Sequence, residues 1–245
     1  MKGVILAGGL GKRLDPLTRV TNKHLLPVYN RPMIYYPIQT LVKAGINEIL
    51  IVTGGDHAGD FLKLLGNGEE FGLKDLRYVY QKGERGIADA LRLAENFVDG
   101  GKFVVVLGDN VLDGSIKPFV NKFRKQSEGG RILLKKVPDP ERFGVVAMKD
   151  GKVIGIEEKP KKPKSDHIVI GVYMYDAKVF EFIRKCKFSG RGELEITDVN
   201  NMYLKQGQLY YDVLKGHWTD CGTFPSLYRA NQLVAKYFKN QRDTD

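Results

Sequence analysis

Short apolar runs recur in the first half of the chain, with longer amphipathic stretches between them. The runs at 3–7, 48–53, 77–80 and 103–107 are rich in β-branched or aromatic residues and predict strands. The first and last of these contain only apolar residues and one glycine, which is typical of parallel strands covered by helices on both faces. The spacing of these runs therefore predicts an α/β fold.

The stretches between the runs predict helices. Pro32 suits the first turn of a helix that ends near Gly45, with a kink at Pro37. A second helix is predicted over 88–97 and a final one over about 226–239. Polar residues are then expected to collect where the strands end.

The pattern changes after about residue 130, where four strand-like runs lie almost next to one another. They are 131–137, 144–148, 152–156 and 168–175, and a turn at 149–151 joins the second to the third. This half is expected to be antiparallel or mixed. We predict an α/β, Rossmann-like fold with a mostly parallel sheet covered by helices on both faces and a mixed or antiparallel elaboration in the second half.

Composition narrows the class of protein. The 245 residues are 42% hydrophobic and 28% charged, which excludes disorder as the dominant state. No apolar run approaches the roughly 18 residues that a membrane span needs, and the first strand leads into glycines and cations instead of a cleavage site. We therefore expect a protein that is neither membrane-spanning nor exported, and the net charge of +10 favours a polyanionic partner: nucleic acid, an anionic membrane or a phosphorylated small molecule.

Cysteine and histidine usage limits the chemistry further. Cys186 and Cys221 are far apart and form no CxxC pair, so a reducing cytoplasm fits best and a zinc knuckle is excluded. The four histidines are scattered singly, so no transition-metal centre is expected.

The most informative segment is the glycine loop, residues 6–14, where the first strand ends in three glycines and then two cations. Such a loop can bring backbone amides against phosphate oxygens, while Lys12 and Arg13 add charge. A P-loop would need Ser or Thr at position 13, and a dinucleotide fingerprint would need glycine where Leu14 stands. A different nucleotide geometry is implied; the alternative is a tight strand exit with solvated cations.

Seven further stretches, with the glycine loop, carry a resemblance to a known family. They are NKHLLPV (22–28), RPMIYYP (31–37), LGDN (107–110), DPERFGVV (139–146), EEKP (157–160), RGELEITDVN (191–200) and WTDCGT (218–223). Over essentially residues 2–235 the chain resembles the sugar-1-phosphate nucleotidylyltransferases, and 191–200 is a narrow signal for their thymidylyltransferase branch.

The resemblance implies transfer of a nucleotidyl group from dTTP to glucose 1-phosphate, giving dTDP-glucose and pyrophosphate by in-line attack on the α-phosphorus. Both reactants are highly anionic, so cations and a metal matter more than a general base. Asp109 follows a buried strand and Asp220 lies in a polar turn, and the resemblance implies that the two hold Mg²⁺. The sequence shows no composition break, flexible linker or internal repeat between its halves, so we predict one nucleotidyltransferase domain over 1–240, with a nucleotide-binding half at about 1–130, a sugar-binding half at about 131–240 and a frayed tail at 241–245.

The resemblance assigns three sets of site residues. The catalytic residues are Arg13, Lys23, Lys159 and Asp109. The nucleotide-binding residues are Leu6, Gly8, Gly9, Gly11, Lys12, Arg13, Gln81, Gly86 and Asp109. The sugar-binding residues are Asn110, Gly144, Glu158, Lys159 and Val169.

Several residues depart from the thymidylyltransferase pattern and keep alternatives open. Phe143 and Ile170 stand where Tyr and Thr are usual, His24 replaces Gln, and the stretch 81–86 lacks the usual loop with proline and aspartate. The main alternative is therefore a UTP-using or mixed-specificity enzyme. A non-catalytic nucleotide-sugar sensor and a basic nucleic-acid-binding protein are weaker alternatives. We expect small-molecule substrates, neither nucleic acid nor membrane as a partner, a homo-oligomer and a cytoplasmic location.

Overall fold

The computed structural model describes the backbone of residues 1–242 and the side chains of residues 1–236. The strands are β1 Lys2–Ala7, β2 Pro27–Val28, β3 Arg31–Pro32, β4 Glu48–Gly54, β5 Asp75–Gln81, β6 Phe103–Leu107, β7 Asn110–Leu112, β8 Gly130–Lys136, β9 Gly144–Lys149, β10 Lys152–Glu158, β11 His167–Tyr175, β12 Leu209–Val213 and β13 Trp218–Asp220. The helices are α1 Tyr35–Lys43, α2 Ala58–Leu65, α3 Ile87–Arg92, α4 Glu95–Val98, α5 Lys117–Lys125, α6 Lys178–Lys185, α7 Ile196–Lys205 and α8 Phe224–Arg242.

The chain divides into two compact units, each made of three separate segments. The amino-terminal unit contains residues 5–84, 106–117 and the chain from 215 onward. The central unit contains residues 1–4, 85–105 and 118–214. Strands β1 and β6 are each divided between the two units.

The amino-terminal unit carries the strand order β6-β1-β4-β5. Strands β4 and β5 are parallel and in register from Glu48 opposite Asp75 to Gly54 opposite Gln81. The apolar residues of β1, β4 and β6 are almost wholly buried, as the apolar runs at 3–7 and 103–107 predicted, whereas Tyr80 in β5 is exposed. A second core, beneath the glycine loop, joins Leu14 and β2 to β7 and α8 through Val111, Cys221 and Val234.

The central unit carries the order β10-β9-β11-β6, with β8 also paired to β11 and β12 paired to β8. Strands β8 and β9 each pair antiparallel with β11, whereas β12 pairs parallel with β8. At the predicted turn between β9 and β10, Asp150 and Gly151 have φ of 50° and 71°. Two consecutive positive φ values match a type I′ hairpin. The strand pairings confirm both the predicted α/β class and the predicted mixed second half.

Two helix predictions need correction. Helix α1 begins at Tyr35 instead of Pro32, because Arg31 and Pro32 pair with Pro27 and Val28 in a small hairpin. Pro37 therefore lies in the first turn of α1, where an N–H has no intrahelical partner and proline breaks no helix hydrogen bond.

The predicted helix over 88–97 is divided into α3 and α4. Leu93 and Ala94 donate to carbonyl groups three residues earlier, and such bonds tighten the chain and interrupt the α-helix. The final helix extends beyond its predicted limits to 224–242. Residues 243–245 of the predicted tail lie outside the described residues. Within the part of the chain that the structure describes, no helix is both long and apolar enough to cross a membrane.

Candidate active site

The glycine loop lies where three strands of the amino-terminal unit end. A Cβ atom on Gly8 would lie 2.6 Å from Gln81 Oε1, and one on Gly54 would lie 2.8 Å from the Gly8 carbonyl oxygen. The ends of β1, β4 and β5 can approach this closely only because Gly8 and Gly54 have no side chain. Gly11 has φ of 72° and turns the chain into a short 3-10 turn that begins at Lys12. Gln81, the predicted base contact, is thus in place beside the loop.

Lys23 and Asp109 form the central ion pair of this unit. Lys23 Nζ lies 2.6 Å from Asp109 Oδ2, and the two side chains are only 13% and 15% exposed. Asn110 Nδ2 donates to the other carboxylate oxygen at 2.9 Å. Burial alone would raise the pKa of Asp109, but Lys23 and these hydrogen bonds outweigh it and hold that pKa well below its usual range. The carboxylate is therefore ionised at neutral pH.

Asp220 is brought to Asp109 by a pair of short strands. Strand β13 pairs antiparallel with β7 so that Asp220 lies opposite Asn110, and the Cys221 N–H donates to the Asp109 carbonyl at 2.8 Å. Burial and the charges of Asp109 and Asp220 raise the pKa of the Cys221 thiol well above its ordinary value. Two acids more than one hundred residues apart in the sequence thus share one neighbourhood.

Arg13 reaches the same place from the glycine loop. A Cβ atom on Gly222 would lie 3.0 Å from both Arg13 Nη2 and Asp220 Oδ2. The structure therefore brings Arg13, Lys23, Asp109 and Asp220 together within the amino-terminal unit.

The residues present suit a magnesium ion. Asp109 and Asp220 offer oxygen ligands, which Mg²⁺ prefers. No group of three or more His, Cys, Asp or Glu that could hold a metal occurs among the described residues. A site with two carboxylates, completed by water and substrate phosphates, is the arrangement that Mg²⁺ commonly adopts.

Four of the five predicted sugar contacts form a second group, in the central unit, whereas Asn110 lies beside Asp109 in the amino-terminal unit. Glu158 Oε2 accepts a hydrogen bond from Thr197 Oγ1 at 2.5 Å, and Arg191 Nη2 lies 3.4 Å from Glu158 Oε1. Gly144 pairs with Val169, and a Cβ atom on it would lie 3.2 Å from Thr197 Oγ1. The structure thus gathers Gly144, Glu158 and Val169 as expected. Arg191 and Thr197, both in the 191–200 stretch, contact Glu158 and are not among the predicted sugar contacts.

Lys159 and Gly86 are fixed by unusual backbone conformations in the same unit. Lys159 has φ of 44°, a value uncommon for a residue other than glycine, and its N–H donates to the Phe143 carbonyl at 3.0 Å. Gly86 has φ of 95°, and a Cβ atom on it would lie 2.5 Å from the Leu194 carbonyl oxygen. Both predicted residues are therefore positioned by neighbouring loops of the central unit.

His24 is a buried residue that the sequence did not mark as part of the site. Its Nδ1 lies 2.8 Å from Asn22 Oδ1, and a Cβ atom on Gly108 would lie 2.7 Å from its Cδ2. The imidazole thus packs against the residue that precedes Asp109. Burial, followed by the charge of Lys23, lowers the pKa of His24 to about 3. The sequence drew attention to His24 only because the family pattern has Gln at this position.

The low pKa of His24 predicts an acid-sensitive contribution to stability. As the pH falls below about 6.5, an unfolded histidine takes up a proton while folded His24 does not. The free energy of unfolding should therefore fall between pH 6.5 and about 3, by at most about 1.4 kcal/mol per pH unit from this group. Urea unfolding of the parent and His24→Gln at pH 7.5, 6 and 5 measures it: the variant should show the shallower decline. His217→Gln, at an exposed imidazole, is the control. Equal slopes for the parent and His24→Gln would contradict the prediction.

Comparison with known proteins agrees with this fold. The family described as nucleotidyl transferase matches residues 2–237. The chain belongs to the nucleotidyl transferase family. A glucose-1-phosphate thymidylyltransferase from Neisseria meningitidis is 44% identical over 96% of this chain and 82% of its own length. One from Actinoplanes sp. is 45% identical over 96% of this chain and 78% of its own length.

Solved structures give the same result. A glucose-1-phosphate thymidylyltransferase candidate from Bacillus anthracis, crystallised with sucrose, is 54% identical and superposes with a TM-score of 0.91 over 95% of this chain and 94% of its own. A UDP-glucose pyrophosphorylase complexed with UDP-glucose is 24% identical, with a TM-score of 0.82 over 96% of this chain and 98% of its own. At that identity the second likeness shows the fold alone.

Proposed function

We propose that the protein transfers a nucleotidyl group from dTTP to glucose 1-phosphate in the presence of Mg²⁺, giving dTDP-glucose and pyrophosphate. The observation that carries this proposal is the meeting of Arg13, Lys23, Asp109 and Asp220 beside the glycine loop. The relatives named glucose-1-phosphate thymidylyltransferase support the choice of reactants.

The chemistry that these residues perform is mainly neutralisation and alignment. Asp109 and Asp220 would hold Mg²⁺, which screens the negative charge of the phosphates when it is bound. Lys23 supplies a fixed positive charge beside the reacting phosphorus, and the Arg13 guanidinium offers a planar fork for the leaving pyrophosphate. The attacking sugar phosphate is already ionised, so no general base is required.

Recognition of the two substrates is assigned to different residues. Gln81 can donate and accept hydrogen bonds at the edge of a pyrimidine. In the central unit, Glu158 accepts from sugar hydroxyls and Lys159 contacts the sugar phosphate. Gly144 and the backbone at Val169 complete the sugar side.

A nucleotide panel tests the proposal. The purified protein is incubated with Mg²⁺, glucose 1-phosphate and each of dTTP, UTP, CTP, ATP and GTP, and pyrophosphate release is measured with and without EDTA. We expect the fastest release with dTTP and none with EDTA. Release with UTP as fast as or faster than with dTTP would favour the UTP-using or mixed-specificity alternative, and no release with any nucleotide would refute the proposed activity.

Three further properties stay predictions: a single nucleotidyltransferase domain over 1–240, a homo-oligomer and a cytoplasmic location. Size-exclusion chromatography with light scattering measures the number of subunits directly.

A further inference from the structure

The glycine loop already holds an anion, supplied by the protein itself. Glu84, three residues after β5, turns its carboxylate back to the loop. One oxygen, Oε1, accepts the Leu10 N–H at 2.9 Å, and the other, Oε2, lies 2.8 Å from Lys12 Nζ. We call this pair of donors, the Leu10 N–H and the Lys12 ammonium, the loop seat.

The loop seat has the composition of a phosphate site. A backbone N–H beside glycines and a lysine ammonium are the groups that bind phosphate oxygens in other nucleotide-binding loops. Glu84 satisfies both donors with its two carboxylate oxygens. Burial would raise the pKa of Glu84, but Lys12 and the Leu10 N–H outweigh it, so the pKa lies below its usual value. The occupying group is therefore a full negative charge.

The contact of Glu84 with the loop seat joins two loops, and both contain residues that are predicted to bind the nucleotide. Gln81 packs on Gly8, and Glu84 binds Leu10 and Lys12, so the chain after β5 meets the glycine loop at two points. The Lys12 side chain is 77% exposed and that of Glu84 34% exposed, so the pair is open to solvent and to ligand. An exposed pair of this kind is weak enough to be displaced.

We propose that Glu84 is a competing internal anion, whose carboxylate fills the loop seat without nucleotide and is displaced by a phosphate group of the incoming triphosphate. This inference rests on the proposed binding of nucleotide by the glycine loop. Displacement has two consequences. The triphosphate binds less tightly than it would bind to the glycine loop without Glu84. When pyrophosphate leaves, Glu84 can bind the loop seat again.

The test is direct binding of phosphate chains. Inorganic tripolyphosphate and pyrophosphate are titrated calorimetrically, in metal-free buffer, into the parent, Glu84→Gln and Glu84→Ala. Both variants should bind about three- to tenfold more tightly than the parent, since the binding free energy no longer includes breaking an exposed ion pair. Unchanged binding would overturn the proposal, and weaker binding would overturn it by showing that Glu84 organises the loop for the ligand.

A matched control separates competition from net charge. Glu95→Gln removes one exposed carboxylate, which pairs with Arg184, and raises the net charge by the same amount. It should leave tripolyphosphate binding unchanged; tightening equal to that of Glu84→Gln would overturn the proposal. Thermal unfolding checks that the three variants are folded.

Kinetics with dTTP separates this inference from the proposed function. If the parent turns over and Glu84→Gln lowers the KM for dTTP without lowering kcat, both are supported. If the parent has no activity but tripolyphosphate binding still tightens in both Glu84 variants, the function fails and the competing anion stands. If the parent is active and binding does not tighten, only the role of Glu84 is refuted.

Discussion

Asp109→Asn is expected to lower kcat for nucleotidyl transfer by about a thousandfold, because the change removes a charge at the point where metal and phosphates meet. The asparagine keeps the shape of the side chain and an oxygen that can accept from Lys23. The Lys23 ammonium then lies partly buried without its carboxylate, so a modest loss of stability is also expected.

The measurement is steady-state pyrophosphate release, with far-UV circular dichroism as the check on folding. Asp60→Asn is the matched control, since Asp60 is an exposed carboxylate on α2 in the same unit and pairs with His57, the residue before that helix. Its activity should equal that of the parent. If Asp109→Asn retains activity within a few-fold of the parent, Asp109 is not part of the metal site.

Gly54→Ala is expected to impair the site without altering any group that touches substrate. The new Cβ would lie 2.8 Å from the Gly8 carbonyl oxygen and 3.1 Å from the Gln81 carbonyl oxygen. Both neighbours are backbone atoms, so the glycine loop must move. A displacement of about 1 Å can cost about a hundredfold in rate, and overpacking of this kind typically costs about 1–3 kcal/mol of stability.

Gly59→Ala provides the contrast, only five residues further along the chain. Gly59 lies in α2, and apart from its chain neighbours and the adjacent helix backbone no heavy atom lies within 4 Å of the position its Cβ would take. Alanine should stabilise the helix by about 0.5–1 kcal/mol and leave activity unchanged. Urea unfolding and kcat/KM for dTTP are measured for both variants. Equal activities of Gly54→Ala and the parent would show that the loop has room for the extra carbon.

Much of the fold could be predicted because buried strands carry a clear signal. The run Phe103–Leu107 has no polar residue, and its strand has the predicted limits. Asp109 could be predicted as a site residue for the same reason, since a carboxylate that follows such a strand lies at the carboxyl ends of the strands, where ligands bind. The turn at Asp150 and Gly151 could also be predicted, because few residue types adopt a positive φ.

Other features depended on contacts that no local pattern records. The approach of Asp220 to Asp109 is made by the pairing of β13 with β7, between segments more than one hundred residues apart. Only the resemblance placed the two acids in one site. The importance of Gly54 and His24 comes from what packs against each of them, and neither lies in a pattern that reveals its neighbours. The predicted start of α1 at Pro32 is wrong because Pro32 pairs with Pro27 in the hairpin of β2 and β3.

The division of the chain into interleaved segments has a consequence for how the protein is made. Asp220 and α8 belong to the same unit as the glycine loop, yet the ribosome adds them more than one hundred residues after Asp109. The central unit has its whole sequence once residue 214 has been synthesised, whereas the unit holding Arg13, Lys23 and Asp109 does not. A nascent chain can therefore complete the central unit first, and the four converging side chains can meet only after Asp220 has been added.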